Sequence, residues 1–463
     1  MGLCNLRART MCRRSGASFW KAWLVSAVAR ALVAPGGAPV RLATSVQVAT
    51  APDRDLSELV QALKPSATVE VHGLTMQLRA AGEEVVSLCV GEPDFAPPKE
   101  IVDAIGAAAA AGATRYTEVT GTAELRSAIV GDLEGRKGVA YAAAEVVVAN
   151  GAKQAVYEAL LALVGPGDEV VVPAPYWVSY PSMVEMAGAT VRSVPCGIDD
   201  GYKLTGAALR SALTRETKAV ILCNPSNPTG AVVDERGQRD LLRVLEAHEE
   251  ETGTKVWVIS DEIYERLYYG SDGGHVAFAS LSAGAFARTV TINGFSKAFA
   301  MTGFRLGYLA APQAVAKACG KIQGQITSCA SSLAQAAGVA ALKLPAGALD
   351  GDVAEFKRRR DLVLAQLEAI AAKRGRIRCP PAPEGAFYVF VDVSGTLGLS
   401  CGGDAVDSST SFCTALLAKR KLALVPGDAF GAPDGVRISY AASEAELTTA
   451  LAAIDAFVND DCN

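Results

Sequence analysis

Five short apolar runs, rich in β-branched residues and separated by stretches of helix length, constrain the fold of this 463-residue chain more than any other feature. Apolar runs of four to six residues are typical of strands buried on both faces, and the amphipathic stretches between them indicate helices that cover a parallel sheet. The sequence therefore predicts an α/β fold. The five predicted strands are residues 145–149, 169–173, 218–223, 255–259 and 288–292.

Each predicted strand leads directly into polar or aromatic residues. In parallel α/β sheets ligands bind beyond the carboxyl ends of the strands, so five strand ends of this kind predict one shared site. The segments are, in strand order, Asn150-Gly151-Ala152-Lys153, Ala174-Pro175-Tyr176-Trp177, Asn224 to Gly230, Ser260-Asp261-Glu262-Ile263-Tyr264, and the stretch from Gly294 to Gly307 that holds Lys297.

Lys297, which stands eight residues before Arg305, is the candidate nucleophile. A lysine amine held in its neutral form can condense with the aldehyde of pyridoxal phosphate. Asp261 is the candidate for keeping a proton on the pyridine nitrogen, so that the ring withdraws electrons from the substrate. Alone, such a lysine is usually a surface charge and such an aspartate a helix cap. Together they predict a pyridoxal phosphate site.

The other strand ends offer further contacts to this cofactor. Asn227, held between two prolines, and Tyr264 could donate to the phenolic oxygen, and Trp177 could stack on the ring. Outside this context, the asparagine would be part of an ordinary turn and the tryptophan a core residue.

A phosphate site is predicted where Gly151-Ala152-Lys153 precedes an apolar-periodic helix from about Gln154 to Val164. Free N–H groups at a helix start suit a phosphate dianion, and Arg305 adds a fixed positive charge able to make paired contacts. No Gly-x-x-x-x-Gly-Lys-Ser/Thr loop occurs, so nothing supports a nucleoside triphosphatase.

Nine motifs in order resemble the aspartate aminotransferase family, class I pyridoxal-phosphate enzymes of fold type I, and within it the plant plastid aspartate/prephenate enzymes and their bacterial relatives. The resemblance extends from about Leu56 to the end of the chain. It implies a large domain with a mostly parallel, seven-stranded sheet between helices and a smaller α+β domain. The motifs are residues 64–68, 91–95, 150–154, 175–180, 225–230, 260–265, 294–307, 425–431 and 437–441.

The resemblance implies a role for each matching residue. Lys297, with Ser296 beside it at the cofactor, would hold the cofactor covalently and move a proton to and from the substrate Cα. Arg437 would clamp the α-carboxylate of every amino or 2-oxo acid substrate, and Gly91 would lend backbone nearby. Tyr116 would reach the cofactor phosphate of a neighbouring subunit, so the active unit would be a homodimer.

Substrate choice would depend on Lys153, which in relatives with Gly-x-Lys-Gln at this turn contacts the distal carboxylate of the substrate. Ser66 and Thr68 would assist it, and Trp177 and Asn227 would also border the substrate. A cation left unpaired in a closed site costs about 1–3 kcal/mol, which favours dicarboxylates such as aspartate, glutamate, oxaloacetate and 2-oxoglutarate. Prephenate, which would give arogenate, also carries a second carboxylate. A plain aspartate aminotransferase without prephenate activity is the alternative.

Other functions remain open on the same fold. A carbon–sulfur lyase or an aminocyclopropane carboxylate synthase would share Lys297, Asp261 and Arg437, but Lys153 and the Ser66–Thr68 segment argue against both. A non-enzymatic regulator would need a fused DNA-binding domain, for which residues 1–60 offer no sign.

Domain limits follow from the resemblance and from composition. We predict a transit peptide without folded structure at residues 1–55, an arm and part of the small domain at 56–100, the large cofactor domain at 101–345, and the small domain at 346–463. Residues 394–411, rich in Gly and Ser, are predicted to form a loop. Eleven cysteines without a Cys-x-x-Cys pair predict reduced thiols, with neither disulfides nor a metal site.

The N-terminal segment differs from the rest. Residues 1–52 contain seven Arg or Lys and no Asp or Glu, which is typical of an organelle transit peptide. We expect a plastid, with the mitochondrion as alternative. The apolar stretch from Ala22 to Ala34 is interrupted by Arg30 and is too short to span a bilayer, so no membrane partner is predicted. The net charge of −5 gives no reason to expect nucleic acid.

Overall fold

A seven-stranded sheet lies at the centre of the fold. The computed structural model describes residues 56–63, 65–270 and 274–463. The strand order of the sheet is β2-β8-β7-β6-β5-β3-β4. The strands of the described chain are β1 (Val86–Ser87), β2 (Val146–Ala149), β3 (Glu169–Ala174), β4 (Thr190–Pro195), β5 (Thr217–Cys223), β6 (Trp257–Asp261), β7 (Thr289–Gly294), β8 (Gly307–Ala310), β9 (Tyr388–Asp392), β10 (Ser400–Cys401), β11 (Asp404–Ala405), β12 (Leu422–Ala423), β13 (Val425–Pro426) and β14 (Gly435–Ser439).

All five strands expected from the sequence are present, as β2, β3, β5, β6 and β7. Pairing is parallel from β4 through β3, β5 and β6 to β7, and β8 runs antiparallel to both of its neighbours. Two strands were not predicted. Half of the residues of the edge strand β4 are exposed, and β8 contains no β-branched residue, so neither is an apolar run of the kind that predicts a buried strand.

Helices cover the sheet and are separated from the strands by short connections. They are α1 (Glu58–Ala62), α2 (Ala67–Ala80), α3 (Lys99–Ala110), α4 (Ala123–Lys137), α5 (Ala152–Leu163), α6 (Tyr180–Met186), α7 (Gly206–Ala212), α8 (Glu235–Thr252), α9 (Ala283–Arg288), α10 (Gln313–Ile326), α11 (Ser332–Leu342), α12 (Asp350–Arg374), α13 (Ser409–Arg420) and α14 (Glu444–Ala456).

Local sequence signals set several helix ends. Thr122 accepts a hydrogen bond from Leu125 N and starts α4, and Gly138 ends it at a φ of 65°. Asp234 starts α8 in the same way. A side-chain oxygen at the first position satisfies a free backbone N–H, and glycine adopts the left-handed conformation that ends a helix without steric cost.

A second, smaller sheet forms the α+β part of the fold. It is antiparallel, in the order β13-β14-β9, and β1 pairs with β12 nearby. Arg437 lies in the central strand β14, which is buried throughout. The fold predicted from the sequence, a mostly parallel seven-stranded sheet between helices with a smaller α+β part, is confirmed. The residue limits of the two domains stay a prediction.

The cysteine prediction was wrong at one pair. Cys401 and Cys462 form a disulfide, and both are fully buried. The segment predicted as a loop contains the hairpin β10–β11, whose turn is Gly402-Gly403, both with positive φ. Ser400 and Asn463 exchange backbone hydrogen bonds, so the chain terminus pairs with β10 and brings the two thiols together. Seven other cysteines of the described chain are free.

The N-terminal predictions fall on residues 1–55, which lie outside the described residues. Across the ranges that are described, no helix combines the length and the apolar character needed to cross a bilayer. Nor does any group of three His, Cys, Asp or Glu side chains within those ranges come together as a metal site would require.

We expect the Cys401–Cys462 disulfide to stabilise the folded protein. Closing a loop of 61 residues restricts the unfolded chain, so reduction should lower the free energy of unfolding by about 2–4 kcal/mol. Urea midpoints with and without dithiothreitol measure this difference. Cys401→Ser should remove the response to reductant and Cys379→Ser, at a free cysteine, should keep it. A wild-type midpoint that ignores reductant would refute the prediction.

Candidate active site

Strand ends bring the candidate residues to one edge of the large sheet. Asp261 ends β6 and is paired with Cys223 at the end of β5. Lys297 follows β7, and its Nζ donates to Gly91 O on a segment distant in sequence. Parallel strands align their carboxyl ends, so residues from separate runs meet without any local sequence signal.

Lys297 is set up to lose its proton near neutral pH. Burial lowers the pKa of its amine to about 8, and the Arg437 charge adds to this effect, whereas Glu92 and Asp261 oppose it. Its Nζ lies 5.9 Å from the ring centroid of Tyr264. A lysine with this pKa is partly neutral under physiological conditions and can act as a nucleophile or a base.

Asp261 is almost fully buried, with 4% of its surface exposed. Its Oδ2 accepts a hydrogen bond of 2.6 Å from the Tyr180 hydroxyl, and its Oδ1 accepts from Ile263 N at 3.3 Å. Burial raises the pKa of Asp261 to about 6, and the two hydrogen bonds and the Lys297 charge limit the rise. The carboxylate is therefore held charged at neutral pH mainly by these contacts.

The predicted phosphate site forms where α5 begins. Gly151 precedes the helix at a φ of 91°, and a Cβ there would lie 2.5 Å from Arg305 Nη2. A Cβ on Gly307 would lie 2.4 Å from Ala152 N. Arg305, itself at a φ of 53°, donates to Thr302 O at 2.9 Å. The missing side chains leave a cradle of backbone N–H groups beside a guanidinium, which fits a phosphate group.

Arg437 has the features of an anion clamp. It is 2% exposed, and its Nη1 donates to Asn227 Oδ1 at 3.0 Å while its Nη2 donates to Cys89 O. Its Nε has no hydrogen-bond partner within the described chain. The guanidinium lies 4.7 Å from the ring centroid of Tyr388. A buried, incompletely bonded guanidinium suits a carboxylate that would supply the remaining acceptors.

Lys153 and Trp177 lie together at the start of α5. The Lys153 Nζ lies 5.3 Å from the Trp177 ring centroid. Burial and the nearby Arg305 charge lower the pKa of Lys153. Trp177 in turn meets Tyr180 edge to face, with 5.2 Å between the ring centroids.

The roles of three predicted residues, Ser66, Thr68 and Tyr116, stay predictions. Ser66 and Thr68 lie at the start of α2 and are half-buried, and Tyr116 is 88% exposed. In the described ranges none of them makes a hydrogen bond to Lys153, Arg305 or Arg437. Ser296, by contrast, is buried beside Lys297.

Two tyrosines at the site were not assigned a role from the sequence. Tyr180 bonds Asp261, and Tyr388 lies between Tyr264 and Arg437, with its hydroxyl 2.9 Å from that of Tyr264. Tyr180 ends the motif at 175–180, but nothing in that motif shows that its hydroxyl faces Asp261. Tyr388 follows no motif at all, so its place is visible only in the folded chain.

The hydrogen bond from Tyr180 should control how easily Asp261 is ionised. Because burial raises the folded-state pKa of Asp261 to about 6, folding favours the protonated carboxyl, and stability is lost as pH rises through 6. Tyr180→Phe removes a donor to the charged form and should raise this pKa further. We expect the cofactor-free protein to lose about 1.5–3 kcal/mol at pH 8 and much less at pH 5, measured by urea unfolding.

Tyr141→Phe is the matched control for this experiment. Tyr141 is also buried in the large domain, but its hydroxyl meets the neutral Thr291 hydroxyl at 3.1 Å. Loss of the Tyr141 hydroxyl should lower the free energy of unfolding by about the same amount at pH 5 and at pH 8. A Tyr180→Phe loss that is equal at pH 5 and pH 8 would show that Tyr180 does not stabilise the charged form of Asp261.

Comparison with known proteins agrees with this geometry. Residues 83–454 match the family model described as aminotransferase class I and II. The chain is 44% identical over 405 residues to the bifunctional aspartate aminotransferase and glutamate/aspartate-prephenate aminotransferase of Petunia hybrida, covering 86% of this chain and 82% of the petunia protein. It is 43% identical over 403 residues to the aspartate/prephenate aminotransferase of Cereibacter sphaeroides, covering 87% of this chain and 98% of that protein.

A solved structure also matches nearly the whole fold. The crystal structure of the aspartate aminotransferase from Rhizobium meliloti superposes with a TM-score of 0.82 at 39% identity, covering 88% of this chain and 99% of that one. The resemblance predicted from the nine motifs is thereby confirmed. With a family model spanning most of its length and relatives above 40% identity, this chain belongs to the class I and II aminotransferases and is a transaminase.

Proposed function

We propose that the site binds pyridoxal phosphate and transfers an amino group between aspartate or glutamate and a 2-oxo acid. The observation that carries this proposal is that Lys297 and the buried carboxylate of Asp261 lie at the same edge of the sheet. The pKa of Lys297 is lowered to about 8 there. When bound, pyridoxal phosphate supplies an electron-withdrawing ring that stabilises negative charge at the substrate Cα. The neutral Lys297 amine takes the proton from the substrate Cα in one half-reaction and returns a proton to Cα in the other.

The remaining residues hold and orient the cofactor. The N–H groups of Ala152 and Lys153 and the Arg305 guanidinium would bind its phosphate. Asp261 would hold a proton on the pyridine nitrogen, and Trp177 would stack on the ring. Tyr264, Asn227 and Ser296 would make the remaining contacts.

Substrate recognition combines two cations. Arg437 binds the α-carboxylate, helped by Asn227 and the Gly91 backbone, and Lys153 binds the distal carboxylate, assisted by Ser66 and Thr68. The dicarboxylate preference is supported by the charge of Lys153, which lies near the Arg305 cation that lowers its pKa and therefore gains from an anionic partner. The names of the petunia and Cereibacter relatives support prephenate as a further acceptor.

The active unit is proposed to be a homodimer. Tyr116 is 88% exposed in the single chain, where a large aromatic side chain has no partner from which to gain stability. In a dimer it would reach the cofactor phosphate of the second subunit.

A plastid location is proposed, with the mitochondrion as alternative. The support is the Arg-rich, acid-free composition of residues 1–52, which precede the part matched by the family model. Reduced thiols throughout would favour a reducing compartment. The Cys401–Cys462 disulfide weakens that argument, because the thiols are not all free.

Lys153→Met should change substrate preference while leaving the fold intact. Methionine keeps the length of the side chain and removes its charge. We expect kcat/KM for aspartate to fall by about 10–100-fold, while kcat/KM for phenylalanine changes less than threefold, because phenylalanine has no distal carboxylate. Lys343→Met, at an exposed lysine paired with Glu124, is the control. An equal loss with both amino acids would contradict the assignment.

A half-reaction assay tests the proposed function itself. The holoenzyme is first aminated with glutamate, freed of excess substrate, and then offered oxaloacetate or prephenate separately while its visible absorbance is followed. Recovery of the original band with both acceptors supports the full proposal. Recovery with oxaloacetate alone makes the protein an aspartate aminotransferase without prephenate activity. Lys297→Ala should still bind cofactor and lose the half-reaction, and a variant with substantial turnover would refute the role of Lys297.

A further inference from the structure

Tyr388, which has no role predicted from the sequence, connects the small sheet to the large sheet at the site. It lies in β9 of the small sheet, and its hydroxyl is 2.9 Å from that of Tyr264, which follows β6 of the large sheet. Both side chains are buried, with Tyr388 at 0% exposure. The two residues are separated by 124 positions, so this hydrogen bond joins separately folded parts of the chain.

The guanidinium of Arg437 lies over the ring of Tyr388. It is 4.7 Å from the Tyr388 centroid. Burial raises the pKa of Tyr388, and the Arg437 charge and the Tyr264 hydroxyl oppose that rise. A cation over an aromatic face therefore makes this phenol a stronger hydrogen-bond donor.

The position of the Tyr388 hydroxyl is fixed by a glycine. A Cβ on Gly91 would lie 2.2 Å from Tyr388 Oη, so the hydroxyl occupies the space that any other residue would need. The carbonyl of the same glycine accepts the hydrogen bond from Lys297. Tyr388 thus contacts Tyr264 and Arg437, and it packs against the glycine that accepts the hydrogen bond from Lys297.

The direction of the hydroxyl pair follows from proton counting. Each tyrosine has one proton, so when Tyr264 donates its proton to an acceptor in the site, the bond between the two hydroxyls must be donated by Tyr388. Donors arranged in such a chain polarise and strengthen one another. Because the Arg437 charge strengthens Tyr388 as a donor, it also strengthens the hydrogen bond that Tyr264 donates.

We propose that Tyr388 is a positioning residue that couples carboxylate binding at Arg437 to the hydrogen bond that Tyr264 makes with the cofactor. The inference rests on the proposed function, since it assigns Tyr264 to the phenolic oxygen of pyridoxal phosphate. A substrate carboxylate neutralises Arg437, weakens Tyr388 as a donor and so weakens the bond from Tyr264. Substrate binding thereby raises the proton affinity of the bound cofactor.

The test is a pH titration of the visible absorbance of the holoenzyme. Donors to the phenolic oxygen favour the deprotonated form, which carries the more negative oxygen. Tyr388→Phe should therefore raise the titration midpoint of the ligand-free enzyme by about 0.5–1 pH unit, the effect of one ordinary hydrogen bond. Succinate, a dicarboxylate without an amino group, should raise the midpoint of the wild type. In Tyr388→Phe that succinate shift should be smaller by about the same amount.

Tyr440→Phe is the matched control. Tyr440 is buried in the same core, and its hydroxyl donates to the Ala386 carbonyl at 3.4 Å and interacts with the Tyr269 side chain, both of them away from Arg437 and Tyr264 in the hydrogen-bond network. It should leave both the midpoint and the succinate shift at wild-type values. A general loosening of the core would instead alter Tyr440→Phe as well.

Gly91→Ala gives a second, independent variant. Its Cβ would displace the Tyr388 hydroxyl while approaching the ring carbon Cζ only to 3.3 Å. It should raise the ligand-free midpoint in the same direction as Tyr388→Phe. If Tyr388→Phe does not fold, an unchanged midpoint in Gly91→Ala overturns the proposal.

The outcomes separate this inference from the proposed function. A wild-type band that titrates and reacts with glutamate, together with Tyr388→Phe values equal to those of the wild type, overturns the role of Tyr388 alone. A wild-type protein that shows no band with pyridoxal phosphate would overturn the proposed function, and the role of Tyr388 with it.

Discussion

The parallel pairing of β5, β6 and β7 is the constraint on which the whole site depends. Cys223 pairs with Asp261, and Asp261 with Ile292, so the three strands end at one edge of the sheet. The segments that carry Asn227 and Lys297 leave from the same edge. The distance between these two segments is therefore governed by the spacing of the strands, which is the same in every parallel sheet. The chemistry then needs only the right residue after each strand.

Burial acts against the charges gathered at that edge. It raises the pKa of Asp261 to about 6 and lowers that of Lys297 to about 8, and within the described chain it leaves Arg437 Nε without a partner. Contacts inside the protein compensate these effects only in part. A site of this kind gains more from a bound ring, phosphate or carboxylate than a fully satisfied one would, which is why incomplete compensation belongs at a binding site.

Close backbone approach completes the same site. Gly307 lies against the start of α5, and Gly91 lies against the Tyr388 hydroxyl, at distances that no Cβ would allow. These contacts bring the helix that begins at Ala152 and the small sheet that carries Arg437 up to the strand ends. A side chain at Gly307 would push that helix away from the strand ends, because the nearest atoms are backbone.

The sequence by itself determined five strands, because short apolar runs rich in β-branched residues favour buried strands, and with them the residues that follow each strand end, including Asp261 and Lys297. It did not reveal β4, half of whose residues are exposed, or β8, which has no β-branched residue. Only the tertiary structure decided that Tyr180 bonds Asp261, that Tyr388 bridges Tyr264 and Arg437, and that Cys401 pairs with Cys462. Each of those contacts joins residues at least 49 positions apart, and no local preference specifies a partner at that distance, since it is the packing of whole elements that brings the two side chains together.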